Sequence, residues 1–115
     1  MNKISVILVS VLAISLMGQI RLFDEVVHPG QELEAFININ NPFSHQLEDI
    51  NLQIVLYDLG LIAERNPFDL LGSESTGKVV SMSIPKDAAP GEYILRISAK
   101  AANKRSVKYR YITVI

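Results

Sequence analysis

The tightest constraint on this chain lies in its last third, where two prolines and a glycine stand directly before an alternating run. Ile84-Pro85-Lys86-Asp87-Ala88-Ala89-Pro90-Gly91-Glu92-Tyr93 leads into Ile94-Leu95-Arg96-Ile97-Ser98-Ala99. Pro85 and Pro90 each lack a backbone donor and hold φ fixed, so no sheet ladder runs through them. Pro90-Gly91 is a turn dipeptide. Beyond it, Tyr93, Leu95, Ile97 and Ala99 fall on one side of an extended chain and Ile94, Arg96, Ser98 and Lys100 on the other. That is the period of a half-buried strand. The segment is therefore a strand end, a polar corner and a second strand, with Pro90, Gly91 and Tyr93 as the structural residues of the corner.

The same period recurs along the chain. Ile20 to Val27 is β-prone and predicts a first strand, broken by His28-Pro29-Gly30. Leu33, Ala35, Ile37 and Ile39 alternate with Glu32, Glu34, Phe36 and Asn38, which predicts a second strand to about Asn40, followed by a loop at Asn41-Pro42-Phe43-Ser44-His45. Ile50, Leu52, Ile54 and Leu56 alternate with Asn51, Gln53, Val55 and Tyr57 in a third. Asp58-Leu59-Gly60 then leads to a short edge strand at Leu61-Ile62-Ala63. Asn66-Pro67 and Gly72 make Arg65 to Ser75 a long loop. Gly77 to Ile84 is a strand with Val80, Met82 and Ile84 inward; Ala101-Ala102-Asn103-Lys104 is a hairpin turn and Arg105 to Ile115 the last strand. About seven short strands, with no room for the crossover helices of a parallel sheet, predict an all-β, immunoglobulin-like antiparallel β-sandwich. In such sandwiches a Tyr just past a corner is buried and its hydroxyl bonds backbone upstream, the role expected of Tyr93. Asp24, Glu25, Glu32 and Glu34 lie early, whereas Lys100, Lys104, Arg105, Lys108 and Arg110 lie late. The last strand of this fold pairs with part of the first, where opposed charges would aid register; solvated faces that discourage edge aggregation are the plainer account.

Lys3 followed by apolar and small residues from Ile4 to Met17 reads as a secretory n-region and h-region. The run is short for a membrane span, which takes roughly 20 residues. Residues 1–19 are thus expected to form a hydrophobic helix, either a signal peptide or an N-terminal anchor, and residues 20–115 the sandwich; a buried core segment is the third and least favoured reading of the apolar run. On the first two accounts the domain works on the extracytoplasmic side, with membrane contact only through residues 1–19 if they stay uncleaved.

The 115 residues suffice for one domain, and with no cysteine there is no disulfide framework and no thiolate chemistry. Eleven Lys and Arg against 12 Asp and Glu argue against nucleic acid as a partner, since phosphate binding needs a basic face. No nucleophile motif, phosphate loop, zinc spacing or Ca²⁺ loop occurs, so no catalytic, cofactor or metal residue is assigned. His28 and His45 sit in separate turns. Glu48 and Asp49 at a strand start, with Asp58 or Asp69, could line one end of the sandwich and offer oxygen ligands to Ca²⁺; turn-forming, solvating acids are the favoured account of them. Asp87 reads as a corner acid. Tyr109 and Tyr111 share one face of the last strand, which is either core, as sandwich alternation favours, or an aromatic platform for a glycan or peptide. Phe68 reads as a plug at one end of the core.

His28-Pro29-Gly30-Gln31-Glu32-Leu33, Ile37-Asn38-Ile39-Asn40-Asn41-Pro42, Ile84-Pro85, Ala89-Pro90-Gly91-Glu92-Tyr93 and Lys108-Tyr109-Arg110-Tyr111-Ile112 together resemble the immunoglobulin-like domains of archaeal S-layer and other cell-surface proteins. The resemblance covers roughly residues 20–115. It implies a non-catalytic, exported cell-surface domain with a structural or protein-interaction role in the envelope, its contacts made through edge strands or loops with other surface proteins. A small glycan- or Ca²⁺-binding module is the alternative.

Overall fold

The computed structural model describes residues 15–115. The helix expected over residues 1–19 therefore falls largely outside the described residues. The elements are β1 (Met17–Leu22), β2 (Val26–Val27), β3 (Glu32–Asn40), β4 (Leu47–Leu56), a 3-10 turn (Tyr57–Leu59), β5 (Leu61–Leu70), β6 (Ser75–Ser83), β7 (Gly91–Ala101) and β8 (Lys104–Val114). They form two sheets, β1-β3-β6 and β2-β8-β7-β4-β5, whose inner faces close over one aliphatic core. Period-two burial is strict where the sequence alternates most cleanly: Leu33, Ala35, Ile37 and Ile39 of β3 and Leu95, Ile97 and Ala99 of β7 are all fully buried.

The expected first strand is split between the sheets. β1 pairs antiparallel with β3, and β2 then crosses over to pair in parallel with β8, Val26 beside Thr113 and Val27 beside Val114. The last strand thus meets part of the first. Of the early acids, Glu32 and Glu34 lie on β3 and accept hydrogen bonds from Ser83 and Ser81 of β6, away from β8, whereas Asp24 and Glu25 lead into β2 beside it. The sandwich also begins ahead of Ile20. Leu16 and Met17 are 1% and 3% exposed, and the Leu16 amide donates to Ser106 Oγ at 2.7 Å.

The loop expected at Arg65 to Ser75 is mostly strand. β5 runs ten residues through Asn66-Pro67, with register irregularities against β4 between Leu47 and Leu52. An edge strand has one set of backbone groups with no ladder partner, so proline is tolerated there. Asp49, at φ 54, lies within that irregular stretch. The remaining connection, residues 71–74, folds against the 43–45 loop. A Cβ on Gly72 would stand 2.1 Å from the Ser44 carbonyl oxygen, so only glycine permits the approach. Asn41, 2% exposed, ties both loops together. Its Nδ2 donates to the carbonyls of His45 and Leu71 at 2.8 and 2.9 Å, and its Oδ1 accepts from the Phe43 amide at 3.0 Å.

At the corner the half-buried Tyr93 packs on the core, and its hydroxyl donates to the Ala89 carbonyl four residues upstream at 2.6 Å. Gly91 has φ +153, a backbone conformation that residues with a Cβ rarely adopt. The His28-Pro29-Gly30 turn is fastened to the same corner, with the Gly30 amide donating to Ile84 O and the Ile84 amide to Gln31 O. Tyr93→Phe is expected to destabilise the domain by about 1 kcal/mol through loss of this bond, and Gly91→Val by more. Urea titrations giving unchanged midpoints for both would refute the role assigned to the corner.

Candidate binding surface

The residues weighed for chemistry do not converge. His28 lies in its turn, and His45 stacks on Phe43 with ring centroids 5.1 Å apart. The Asp49 amide donates to Asp69 Oδ1 at 3.0 Å, so these two acids share one end of the sandwich with Glu48. Asp58 stands in the 3-10 turn beyond the other end of β4. Among the described residues no three His, Cys, Asp or Glu side chains are grouped to hold a metal ion. Asp87 is exposed in the corner.

The free edges β5 and β6 face each other on one flank, around a cleft of about 580 Å³. Two basic residues stand at inward-facing positions of these edges. Arg65, opposite Leu52, donates to the Val79 carbonyl at 2.8 Å and so links the two sheets. Lys78, opposite Ile37, places its ammonium 4.8 Å from the centre of the Phe68 ring. Phe68, half-buried, packs against the core as expected and also lines the cleft. Inward-pointing charge and a proline on an edge are devices that discourage strand addition.

The outer face of the five-stranded sheet is different. Tyr109 and Tyr111, for which the core was the favoured placement, are 58% and 63% exposed. The reason is coverage. Three strands cannot cover five, and the inward positions of β8 lie at the margin, where Lys108 reaches the Gly18 carbonyl at 2.8 Å. Only Ser106, Ile112 and Val114 of β8 are buried, so the tyrosines take the outer face. Cross-strand pairing sets Tyr109 beside Arg96, Tyr111 beside Ile94, Arg96 beside Val55 and Val55 beside Ile62. The Arg96 guanidinium donates to the Tyr57 hydroxyl at 3.2 Å, which brings Tyr57 onto the same face. Val26, beside Thr113, completes it. Of nine large apolar side chains exposed among the described residues, six (Val26, Tyr57, Ile62, Ile94, Tyr109 and Tyr111) lie here. The outer face of the three-stranded sheet instead carries Glu32, Glu34, Asn38 and Asn40 opposite Ser83, Ser81, Gly77 and Ser75, with Phe36 half-buried beneath Arg21. Alternation in the sequence located the two tyrosines on one face; Tyr57, Ile62 and Ile94 joined them only through pairing that sequence period does not encode.

Two sheets in this order, with the first strand shared between them and a tyrosine-closed corner, define an immunoglobulin-like β-sandwich domain. No model of a protein family matches the sequence, and neither does any curated protein. Among solved structures the chain is similar to the CARDB domain of a Pyrococcus furiosus protein, crystallised in complex with di-metal ions. Identity is 12%, the TM-score 0.63, and the match covers 90% of this chain and 93% of that one. It is also similar to the sporulation control protein of Bacillus subtilis, at 14% identity and TM-score 0.62, covering 88% of this chain and 50% of that one. A third is a family 123 glycoside hydrolase from Clostridium perfringens, at 14% identity and TM-score 0.61. The match covers 81% of this chain but only 23% of the hydrolase. At these identities the likeness is one of fold.

Proposed function

We propose that this chain is a non-catalytic, exported cell-surface domain, of the kind found in S-layer-like envelopes, that works by holding other surface proteins. The observation that carries the reading is the apolar, tyrosine-rich outer face of the five-stranded sheet beside a polar face on the other sheet. Contiguous exposed apolar surface of this kind marks an interaction site, and strand addition along β5 and β6 is hindered by Arg65, Lys78 and Pro67. The sequence resemblance to archaeal surface domains supports the envelope setting. The apolar segment after Lys3 supports export. On this reading Leu16 and Met17, which are buried, belong to the domain, so the export segment ends at or before Ser15 or stays as an anchor.

Cell fractionation tests the reading. The protein is expected in the envelope fraction, cross-linkable to surface proteins, and Tyr109→Ser with Tyr111→Ser should release those contacts. A free monomer that touches no envelope component would refute it. The exposed tyrosines also favour a second reading, a glycan platform stacking sugar rings on Tyr109 and Tyr111; binding on a glycan array that the same double substitution abolishes would select it. For Ca²⁺, Asp49 and Asp69 supply fewer than the roughly six to eight oxygen ligands the ion takes.

A further inference from the structure

We infer that the outer face of the five-stranded sheet is a dimerisation surface whose occupant is the same face of a second copy of this chain. The inference rests on the reading above that this face makes the protein's contacts, and it names the partner. Three observations lead to it. The four long strands, of 10 or 11 residues each, present about 700 Å² at ordinary strand spacing and rise. A stable protein interface takes roughly 800 Å² per partner. The composition is that of an interface centre, aliphatic side chains around tyrosines and an arginine, with other charges at the margins.

The third observation is self-complementarity. Ile62, Val55, Arg96 and Tyr109 form one row straight across the sheet. Ile94 and Tyr111 lie one step to one side of that row, Ser98 and Val107 one step to the other. Two steps out are Glu92 with Thr113 on the first side and Lys100 with Arg105 on the second. A twofold axis along this row, in the plane between two copies, sets Tyr111 against the partner's Val107 and Glu92 against the partner's Lys100; on the axis itself Tyr109 meets the partner's Tyr109 and Arg96 the partner's Arg96, a like-charge contact at which each guanidinium keeps its bond to the Tyr57 hydroxyl. Symmetry repeats each contact. The arrangement closes, leaving both polar three-stranded faces outward.

Sedimentation velocity of the full chain in mild detergent tests this. The unsubstituted chain is expected at twice the monomer mass, and Ile94→Asp with Tyr111→Asp at the monomer mass with its melting temperature retained. Glu92→Lys should raise the concentration at which half the chain is dimeric, and Lys100→Glu in the same chain should restore it. On cells, the cysteine-free sequence lets a single Tyr109→Cys report its neighbour through a short bismaleimide. The expected product is a self-linked dimer, whereas Ser81→Cys on the opposite sheet stays unlinked. A monomeric unsubstituted chain, or a dimer that survives Ile94→Asp with Tyr111→Asp, overturns the inference. Linkage of Tyr109→Cys only to other envelope proteins overturns it too, while leaving the proposed function standing; linkage to nothing at all removes both.

Discussion

A chain that begins at Gln19 is expected to be largely unfolded under conditions where a chain beginning at Ser15 is folded. Leu16 and Met17 are core side chains, 1% and 3% exposed. Truncating one large buried aliphatic residue costs about 2–5 kcal/mol; removing two outright costs no less. Three backbone contacts go with them. The Asn40 amide loses the Leu16 carbonyl at 2.8 Å, Ser106 Oγ loses the Leu16 amide, and Met17 no longer pairs with Ile39. The sum approaches the roughly 5–15 kcal/mol that holds a whole domain together. Circular dichroism and urea titration of the two chains decide it. Equal midpoints would mean that the first half of β1 adds nothing, and that processing at residue 18 or 19 is harmless. If the loss is as large as expected, a mature N-terminus at or before Ser15, read by mass spectrometry, becomes a requirement of stability.

Residues 15 to 19 show where sequence period ends as a guide. By sequence they read as part of the export segment, because apolar and small residues continue without a break from Ile4 to Met17. A leader and a buried strand start have the same composition, so the boundary between them is set by what lies opposite. Ser106 and Ile39, the partners that define it, are distant in sequence. β3 and β7 were legible because each carries a full alternating set with charged or polar residues between. Pro67 concealed the second half of β5, since a proline read without neighbours signals a break, and only its edge position makes it a strand residue. The outer face was half-legible. Period two puts Tyr109 and Tyr111 together, but which side of β8 is wet depends on how far a three-stranded sheet extends over a five-stranded one. That is a property of the pairing as a whole, and the apolar face that carries the proposed function is its product.

Asn41→Leu is expected to cost about 3–4 kcal/mol, although leucine is apolar, similar in size and placed in a buried site. The asparagine is buried because it substitutes for backbone partners where two loops meet. Its Nδ2 serves the carbonyls of His45 and Leu71, its Oδ1 serves the Phe43 amide, and its own amide donates to the Glu74 carbonyl. Leucine leaves two acceptors and a donor without their partners, and each unmet buried group costs about 1–3 kcal/mol where water cannot replace what is lost. The loops cannot separate to admit water freely, because the Ser73 amide is bound to the Phe43 carbonyl at 2.8 Å and Gly72 lies against Ser44. For a domain of this size the loss corresponds to a fall in Tm of roughly 15–25 °C. Asn41→Asp separates polarity from shape. It keeps the acceptor for Phe43 but turns a carboxylate toward two carbonyl oxygens, a setting that favours the protonated acid. A group whose folded pKa is raised contributes its stability below the unfolded value and loses it as pH rises, so this variant should fall furthest behind the parent near neutral pH and recover toward acid. Equal stability of Asn41→Leu and the parent would mean that the two loops are held by packing alone. A constant deficit for Asn41→Asp at every pH would mean that the Nδ2 contacts to His45 and Leu71 are not what fixes this end of the sandwich.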